Sequence, residues 1–594
     1  MQTDSNNAVS DNQSLQQQQA AAKHTTANNS GTEQTIESGK LGWFDDILLL
    51  GIMAVLAGCG LIYEYLLSHY AGRILGALEA AIYTMIGLMI VSMGLGAFAA
   101  RKIRCAFTGF AVLELCVALC GSLAILITAA VIGFGQQLPL IIANTLGLPA
   151  DQLPDGGFIG TLQKLAEYLP YVWGVLLGLM IGMEIPLIAR VRQAMSEAHL
   201  MHNAGTIYGA DYIGAGIGAA IWVGFMLAID IQLAAALTAS FNLLAGFIFI
   251  WRFWQQIRHV KLLLVGHVVA SGILVLLALH GPSWEQNFNN LLYKDKVVYA
   301  KATRFQQLTF TERLRGNGLG PVHSLYINGR LQFSSSDEHI YHSFLVHPTM
   351  AASARHDKVL IIGGGDGLGL TQVLQWQPKQ VTLMDLDEEL VRLFMEPASD
   401  MPEYLSDALL ALNQNALNDP RVRIMYDDAF NGVDKLLAKE EKFDAIIVDL
   451  PDPSHPDLNK LYSDAFYLKL KELMSNDAAL TIQSTSPYHA PKAFISVANT
   501  LELAGFNVDQ YHHNVPSFGE WGWSIATLSG KSARNRLNNM QQLPVNDPWL
   551  TPGLIHAAFE FPGNFYQDKA QIKPNVLGSS QLYQYHQQAW LENQ

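Results

Sequence analysis

The stretch VLIIGGGDGLGLTQVLQWQPKQVTLMDLD, Val359 to Asp387, decides the fold. Val359 to Ile362 are four apolar residues in a row, the signal of a short buried strand. Gly363, Gly364 and Gly365 follow, permitting a tight turn and close approach of the backbone to a ligand. Leu370, Val373 and Leu374 share one helix face. Val381 to Leu383 begin a second strand, which ends in the acidic pair Asp385 and Asp387. An acidic residue ~20 positions after a glycine turn is placed to hydrogen-bond a ribose hydroxyl. The stretch reads as a nucleoside-binding βαβ unit.

A glycine turn alone is weak evidence. The informative residue is Asp366, inside the loop. The N–H groups of such a turn favour anions, so a phosphate-binding loop avoids a carboxylate there. The same carboxylate repels the amino-acid carboxylate of S-adenosylmethionine and favours a ligand ending in a bare ammonium. That combination points to an adenosyl compound with a cationic tail.

Outward from this unit, the chain is too long, at 594 residues, for one ordinary domain. Half its residues are apolar and only 15% are charged, below the ~25% usual in soluble proteins. A membrane half joined to a soluble half accounts for both figures. A formal net charge of -14 argues against nucleic acid as a partner. The four cysteines, Cys59, Cys105, Cys116 and Cys120, all lie in the apolar half and form neither a disulfide framework nor a zinc pattern. Cys116 and Cys120 share a helix face and are read as packing residues. No metal site is expected: His339, His342, His512 and His513 have no ligand-spaced companions.

Residues 1–42 form a polar tail rich in Gln, Asn, Ser and Thr, expected to be disordered, without the features of a cleavable signal peptide. Residues 43–283 carry seven apolar runs of spanning length, about 46–67, 79–100, 107–133, 168–189, 205–229, 231–251 and 259–280. The segment 134–167 holds Pro139, Pro154 and the pair Gly156–Gly157, and reads as a loop. In the fifth run, Gly214, Gly216 and Gly218 allow close helix packing. Glu64, Glu114, Glu184, Asp211 and Asp230 lie within or at the edges of these runs. An ionisable group in a bilayer is a functional candidate, and if that reading holds a cation is its natural partner. The plainer alternative, a paired or interface-facing structural carboxylate, is favoured for each, most of all for Glu114 and Asp230.

The basic loops Arg101–Lys102–Arg104, Arg190–Arg192 and Arg252–Arg258–Lys261 alternate, so all three share one side, the cytoplasm by the positive-inside rule. Seven crossings then leave the C-terminal half outside. An adenosyl compound is cytoplasmic, and Lys294, Lys296 and Lys301 after the last run are also basic. The catalytic half is therefore expected in the cytoplasm of an inner-membrane, multi-pass protein, which requires a re-entrant span or an eighth crossing.

Residues 284–340 are expected to hold a small antiparallel β-sheet, with Gly316–Gly318 and Asn328–Gly329 as turn signals. An α/β Rossmann-like domain of class I methyltransferase type spans 341–534, and residues 535–594 form an irregular C-terminal extension. Asp449 and Asp452 sit in IIVDLPDP, just past a strand at Ala445 to Val448, where binding residues of such sheets belong. Asp428, at the strand end in IMYDDAF, suits an adenine amino group.

The motifs FQQL (305–308), LQFSSSDEHIYHSFLVHP (331–348), GGGDG (363–367), LMDLD (383–387), YDDAF (426–430), VDLPDP (448–453), LYSDAFY (461–467), TIQSTSP (481–487) and VPSFGEWGW (515–523) together resemble the spermidine synthase, or polyamine aminopropyltransferase, family over roughly 295–530. The apolar front half resembles the multi-span domain fused to some bacterial members. The resemblance implies transfer of an aminopropyl group from decarboxylated S-adenosylmethionine to putrescine, giving spermidine and 5'-methylthioadenosine, with no prosthetic group. It implies Asp449 as the base that deprotonates the attacking amine. It implies Gln306, His342, Gly363, Gly365, Asp366, Asp385, Asp428 and Ala429 as contacts of the donor. Tyr341, Asp366, Asp452, Gln483, Phe518 and Trp521 are implied as the substrate site, with Asp452 pairing with the far ammonium. A homodimer through the catalytic domain and a lipid bilayer around the apolar half are the implied partners.

Several positions depart from the family pattern. Phe518 stands where a Tyr is usual, Ser343 for Glu, Thr371 and Gln372 for Arg and Glu, Asp385 for Glu, and Asn328 for Asp. The lost hydroxyl at Phe518 leaves the acceptor open to a longer diamine or spermidine. Two other readings stand beside this one. In the first, the chain is a polyamine transporter or sensor whose synthase-like half only binds. In the second, it is an ordinary methyltransferase, which Asp366 opposes.

Overall fold

The computed structural model describes residues 43–75, 78–146, 157–195, 203–293, 295–316, 319–528 and 530–592. The expected disordered tail lies outside them. Eight helices come first: α1 (Trp43–Leu75), α2 (Leu78–Ala99), α3 (Ala106–Leu146), α4 (Gly157–Glu167), α5 (Leu169–Met195), α6 (Asn203–Gly224), α7 (Ile231–Arg252) and α8 (Val260–Asn290). Seven of them, all but α4, are long and apolar enough to cross a membrane. Apolar side chains also coat the outside of the bundle, among them Val91 and Phe98 on α2, Ile213 and Val223 on α6, and Leu262 and Leu279 on α8.

Small residues set the closest helix contacts. A Cβ at Gly214 would lie 1.9 Å from the carbonyl oxygen of Ala54, and one at Gly218 would lie 2.5 Å from that of Gly58. Only glycine lets α6 approach α1 this closely. Gly216, between them, faces open space. The expected loop at 134–167 is largely helical. α3 continues through Pro139 to Leu146, and α4 occupies 157–167. Residues 147–156, with Pro154 and Gly156, lie outside the described residues.

The basic loops gather at one end of the bundle. Arg192 pairs with Asp46 and Arg252 with Asp45 at the start of α1, and Arg190 donates to the carbonyls of Ala100, Ile103 and Arg104. Toward the other end of α1, Tyr70 bonds Asn289 near the end of α8. At a rise of ~1.5 Å per residue these two ends are on the order of 35 Å apart. The chain thus leaves α8 at the end opposite its basic loops. Among the described residues there is no eighth helix long and apolar enough to cross.

Beyond α8, β1 (Lys296–Ala302), β2 (Gln307–Arg313), β3 (Val322–Ile327) and β4 (Arg330–Ser334) form a four-stranded antiparallel sheet in sequential order. The β3–β4 turn has Asn328 and Gly329 at φ 49° and 78°, the left-handed pair that a two-residue hairpin requires. Residues 317 and 318, in the other expected turn, lie outside the described residues. Helix α9 (Glu338–Ala352) follows, and the expected domain boundary at 340 falls inside it.

The main sheet contains β5 (Lys358–Gly363), β6 (Gln380–Asp385), β7 (Val422–Tyr426), β8 (Phe443–Asp449), β9 (Met474–Gln483), β10 (Asn507–Val515) and β11 (Gly519–Thr527). Their order is β10-β11-β9-β8-β5-β6-β7; the last five are parallel and β10 and β11 antiparallel. Alternate residues fill opposite faces: Val359 and Ile361 join one apolar core, Leu360 and Ile362 the other. A strand buried on both faces reads as an unbroken apolar run. α10 (Leu368–Leu374), α11 (Glu388–Leu393), α12 (Glu403–Leu412), α13 (Ala429–Leu437), α14 (Asp464–Leu473) and α15 (Pro491–Leu503) complete the layers. The C-terminal extension is more ordered than expected. α16 (Ala533–Leu537), α17 (Pro552–Ala558) and α18 (Gln581–Glu592) bury Leu537, Ile555 and Leu582 against these cores.

Candidate active site

The parallel order reverses between β5 and β8: from β5 the chain winds outward through β6 and β7, then returns to β8 on the other side. Ligands of such sheets bind in the crevice at that point. The register sets Gly363 opposite Asp449. Gly363 has φ +79°, and a Cβ there would lie 2.0 Å from the Asp449 carbonyl oxygen. A Cβ at Gly365 would lie 2.7 Å from Asp385 Oδ2. These two glycines let the loop fold against both carboxylate-bearing strand ends.

Asp385 holds the loop from β6. Its carboxylate accepts from the backbone N–H of Gly365 at 3.0 Å and of Asp387 at 2.9 Å. Asp387 caps α11 and accepts from the Gln306 side chain at 2.8 Å, which brings the end of the small sheet to the crevice. Asp366 is bound through Oδ1 by the N–H of Leu368 at 3.0 Å.

Helix α9 supplies the floor. Tyr341 donates to Asp449 Oδ1 at 2.8 Å. His342 Nε2 lies 4.0 Å from Asp449 Oδ2, and its Nδ1 lies 2.9 Å from Glu338 Oε2. Burial pushes Asp366 and Asp385 up to about 6, the former against the opposing pull of His342. Burial also raises Asp449, countered by His342 and by the Tyr341 hydrogen bond. For His342 burial works downward, but Glu338, Asp366 and Asp449 outweigh it and hold the imidazole up at about 9. The crevice therefore sets three carboxylates against one imidazolium, an arrangement that calls for a cationic ligand.

Beyond Asp449 lies a second group. Gln483 donates to Asp452 Oδ1 at 3.4 Å, to Leu450 O at 2.8 Å and to Tyr462 Oη at 2.7 Å. His586 Nε2, on α18, lies 3.5 Å from Asp452 Oδ2. Thr485, at φ +64°, is strained for a β-branched residue and is held by donating its N–H to Gln483 Oε1 at 3.0 Å. Phe518 sits between Tyr341 and Trp521, with ring centroids 5.9 and 5.1 Å away. Trp521 Nε1 is buried without a hydrogen-bond partner.

The residues singled out from sequence thus fall into one crevice with three sectors: Gln306 and Asp385 at one edge, Asp366, His342, Tyr341 and Asp449 in the middle, and Asp452, Gln483, Phe518 and Trp521 beyond. Asp428 is more engaged than expected. It caps α13, whose first residue is Ala429, and its Oδ2 pairs with Lys460 at 2.8 Å. Sequence reasoning missed Glu338, Tyr462 and His586. Glu338 could have been found, since it lies one helical turn before His342 inside a quoted motif.

This is the architecture of a class I methyltransferase-like enzyme, with acidic groups gathered at the switch point of the sheet. The family described as Spermine/spermidine synthase domain matches residues 338–539. The chain is 81% identical over 563 residues to the Polyamine aminopropyltransferase of Shewanella oneidensis, covering 95% of this chain and 98% of that protein. It is 32% identical to Polyamine aminopropyltransferase 1 of Streptomyces coelicolor, covering 91% and 94%. It is 31% identical to the Polyamine aminopropyltransferase of Oceanobacillus iheyensis, covering 91% and 96%. The chain belongs to the polyamine aminopropyltransferase family and is an aminopropyltransferase.

A buried acid with a raised pKa destabilises the fold once the unfolded chain ionises. For Asp366 this penalty develops as pH rises from about 4 to about 6, and amounts to roughly 3 kcal/mol. Asp366→Asn should therefore raise the melting temperature of the ligand-free protein at pH 7.5, and the gain should vanish near pH 4. A gain independent of pH would contradict the burial argument.

Proposed function

We propose that the chain transfers the aminopropyl group of decarboxylated S-adenosylmethionine to putrescine, giving spermidine and 5'-methylthioadenosine, while anchored in the inner membrane by its helical half. The observation that carries this reading is the pair of half-buried carboxylates, Asp366 on the loop after β5 and Asp449 at the end of β8, that flank the β5–β8 crevice. Asp366 binds the aminopropyl ammonium and disfavours the carboxylated donor. Asp385 and Gln306 serve the ribose, the latter through Asp387, and Gly363, Gly365 and Ala429 give the adenosine its backbone approach. Asp428 lies at the adenine end.

The acceptor arrives as an ammonium with a pKa near ~10.4, and is not nucleophilic until it loses a proton. Asp449 takes that proton, held in place by Tyr341. The amine nitrogen then bonds the carbon next to the sulfonium, the C–S bond breaks, and its electron pair leaves on sulfur as a neutral thioether. No group needs to stabilise a developing anion, so orientation supplies most of the acceleration. Asp452 pairs with the far ammonium, while Gln483, Phe518 and Trp521 wall its stem. His586 closes the deep end and limits acceptor length.

Asp449→Asn should lower turnover by about 10²-fold or more while donor affinity stays within about threefold. Joint loss of binding and turnover would contradict the role as base. His586→Ala should open the deep end and shift kcat/KM from putrescine toward spermidine by on the order of tenfold. An unchanged ratio would remove His586 from the acceptor site.

The catalytic half faces the cytoplasm in this reading, where the adenosyl donor is found. The basic loops then face outward, against the usual charge bias, with Arg192 and Arg252 neutralised by Asp46 and Asp45. A C-terminal green fluorescent protein fusion should fluoresce and a C-terminal alkaline phosphatase fusion should be inactive. The reverse pattern would place catalysis outside.

A further inference from the structure

The helical bundle holds a polar cluster that the reaction does not use. Glu114 on α3 and Glu184 on α5 are both fully buried. Asn242 on α7 donates to Glu114 Oε2 at 3.1 Å, and Tyr63 on α1 donates to Asn242 Oδ1 at 3.4 Å. His267 on α8 borders the same spot: a Cβ at Gly246 would lie 2.5 Å from His267 Nε2 and 3.5 Å from Glu114 Cβ. Glu184 comes to it on α5: a Cβ at Gly60, one turn before Tyr63 on α1, would lie 3.3 Å from Ile181, one turn before Glu184.

These groups lack donors. Glu114 Oε1, both oxygens of Glu184 and His267 Nε2 are buried with no hydrogen-bond partner. His267 Nδ1 lies 2.9 Å from the Leu263 carbonyl oxygen, which assigns the proton to Nδ1 and leaves Nε2 an acceptor. Four buried acceptors without a donor are costly in any packed interior and more so in a bilayer. Protonating the two acids adds one donor each but still leaves acceptors unmet. A primary ammonium brings a positive charge and three N–H donors.

We propose that Glu114 and Glu184, with Asn242 and His267, form a second amine site inside the helical bundle, which takes an aliphatic primary ammonium of the diamine or polyamine class. The choice of amine rests in part on the proposed reaction; the missing donors do not. The site gives the helical half a role in holding the substrate or product of the soluble half.

Equilibrium binding of radiolabelled putrescine and spermidine to the full chain in lipid nanodiscs, without aminopropyl donor, tests this. Two equivalents should bind at pH 7.5. Glu184→Gln and Glu114→Gln should each remove one while leaving methylthioadenosine release within about twofold, and Glu184→Asp should restore it. Asp452→Asn should remove the other equivalent, so failure of the catalytic reading is seen separately. If neither Gln variant yields folded protein, 100 mM NaCl offered as competitor to the wild-type chain decides: retention of both equivalents supports the proposal. An equivalent displaced by sodium, a second equivalent that survives both Gln substitutions, or no equivalent beyond the one Asp452→Asn removes would overturn it.

Discussion

The backbone contact between Gly363 and Asp449 is the constraint on which the catalytic half depends. Two parallel strands must end side by side, and the loop leaving one must pass against the carbonyl of the other. No side chain fits in that gap. The positive φ of Gly363 then turns the loop so that Asp366 and Asp449 face one crevice. A residue with a Cβ would push the strand ends apart and separate the group proposed to bind the donor's ammonium from the group proposed to deprotonate the acceptor.

Around that contact the protein concentrates negative charge in a buried space. Glu338, Asp366 and Asp449 surround His342, and Asp385 adds a fourth carboxylate against the glycine loop. Such a crowd of like charges is costly alone, and a cationic ligand would offset it. The destabilisation and the selectivity are therefore one property. Natural sites commonly trade fold stability for function in this way.

What was legible in the sequence came from short-range signals. The unbroken apolar run at 359–362 marked a strand buried on both faces, and Asn328–Gly329 marked a hairpin; the offset from Gly365 to Asp385 was read as a ribose contact, and the structure shows Asp385 accepting the N–H of Gly365. What was not legible depends on distant pairing. Asp428 reads as a free strand-end carboxylate until Lys460 folds over it. His586 stands in a Gln-rich tail whose pattern says nothing of Asp452. Glu114 reads as a paired or interface-facing structural carboxylate on its own helix, and only Asn242, Glu184 and His267 from three other helices make it a cluster. The helical half was legible in its number of spans, but Pro139 misled, because α3 runs on past it to Leu146. The basic loops also met the expectation that they share one side, yet the soluble half leaves from the other. Loop charge and substrate chemistry pull that orientation in opposite directions.

The most direct measurement is a product assay on the full chain with decarboxylated S-adenosylmethionine and a panel of putrescine, cadaverine and spermidine. Release of methylthioadenosine in equal amount with one aminopropylated amine, putrescine preferred, is the result this account expects. Folded protein that binds the donor but releases no methylthioadenosine with any amine would contradict it.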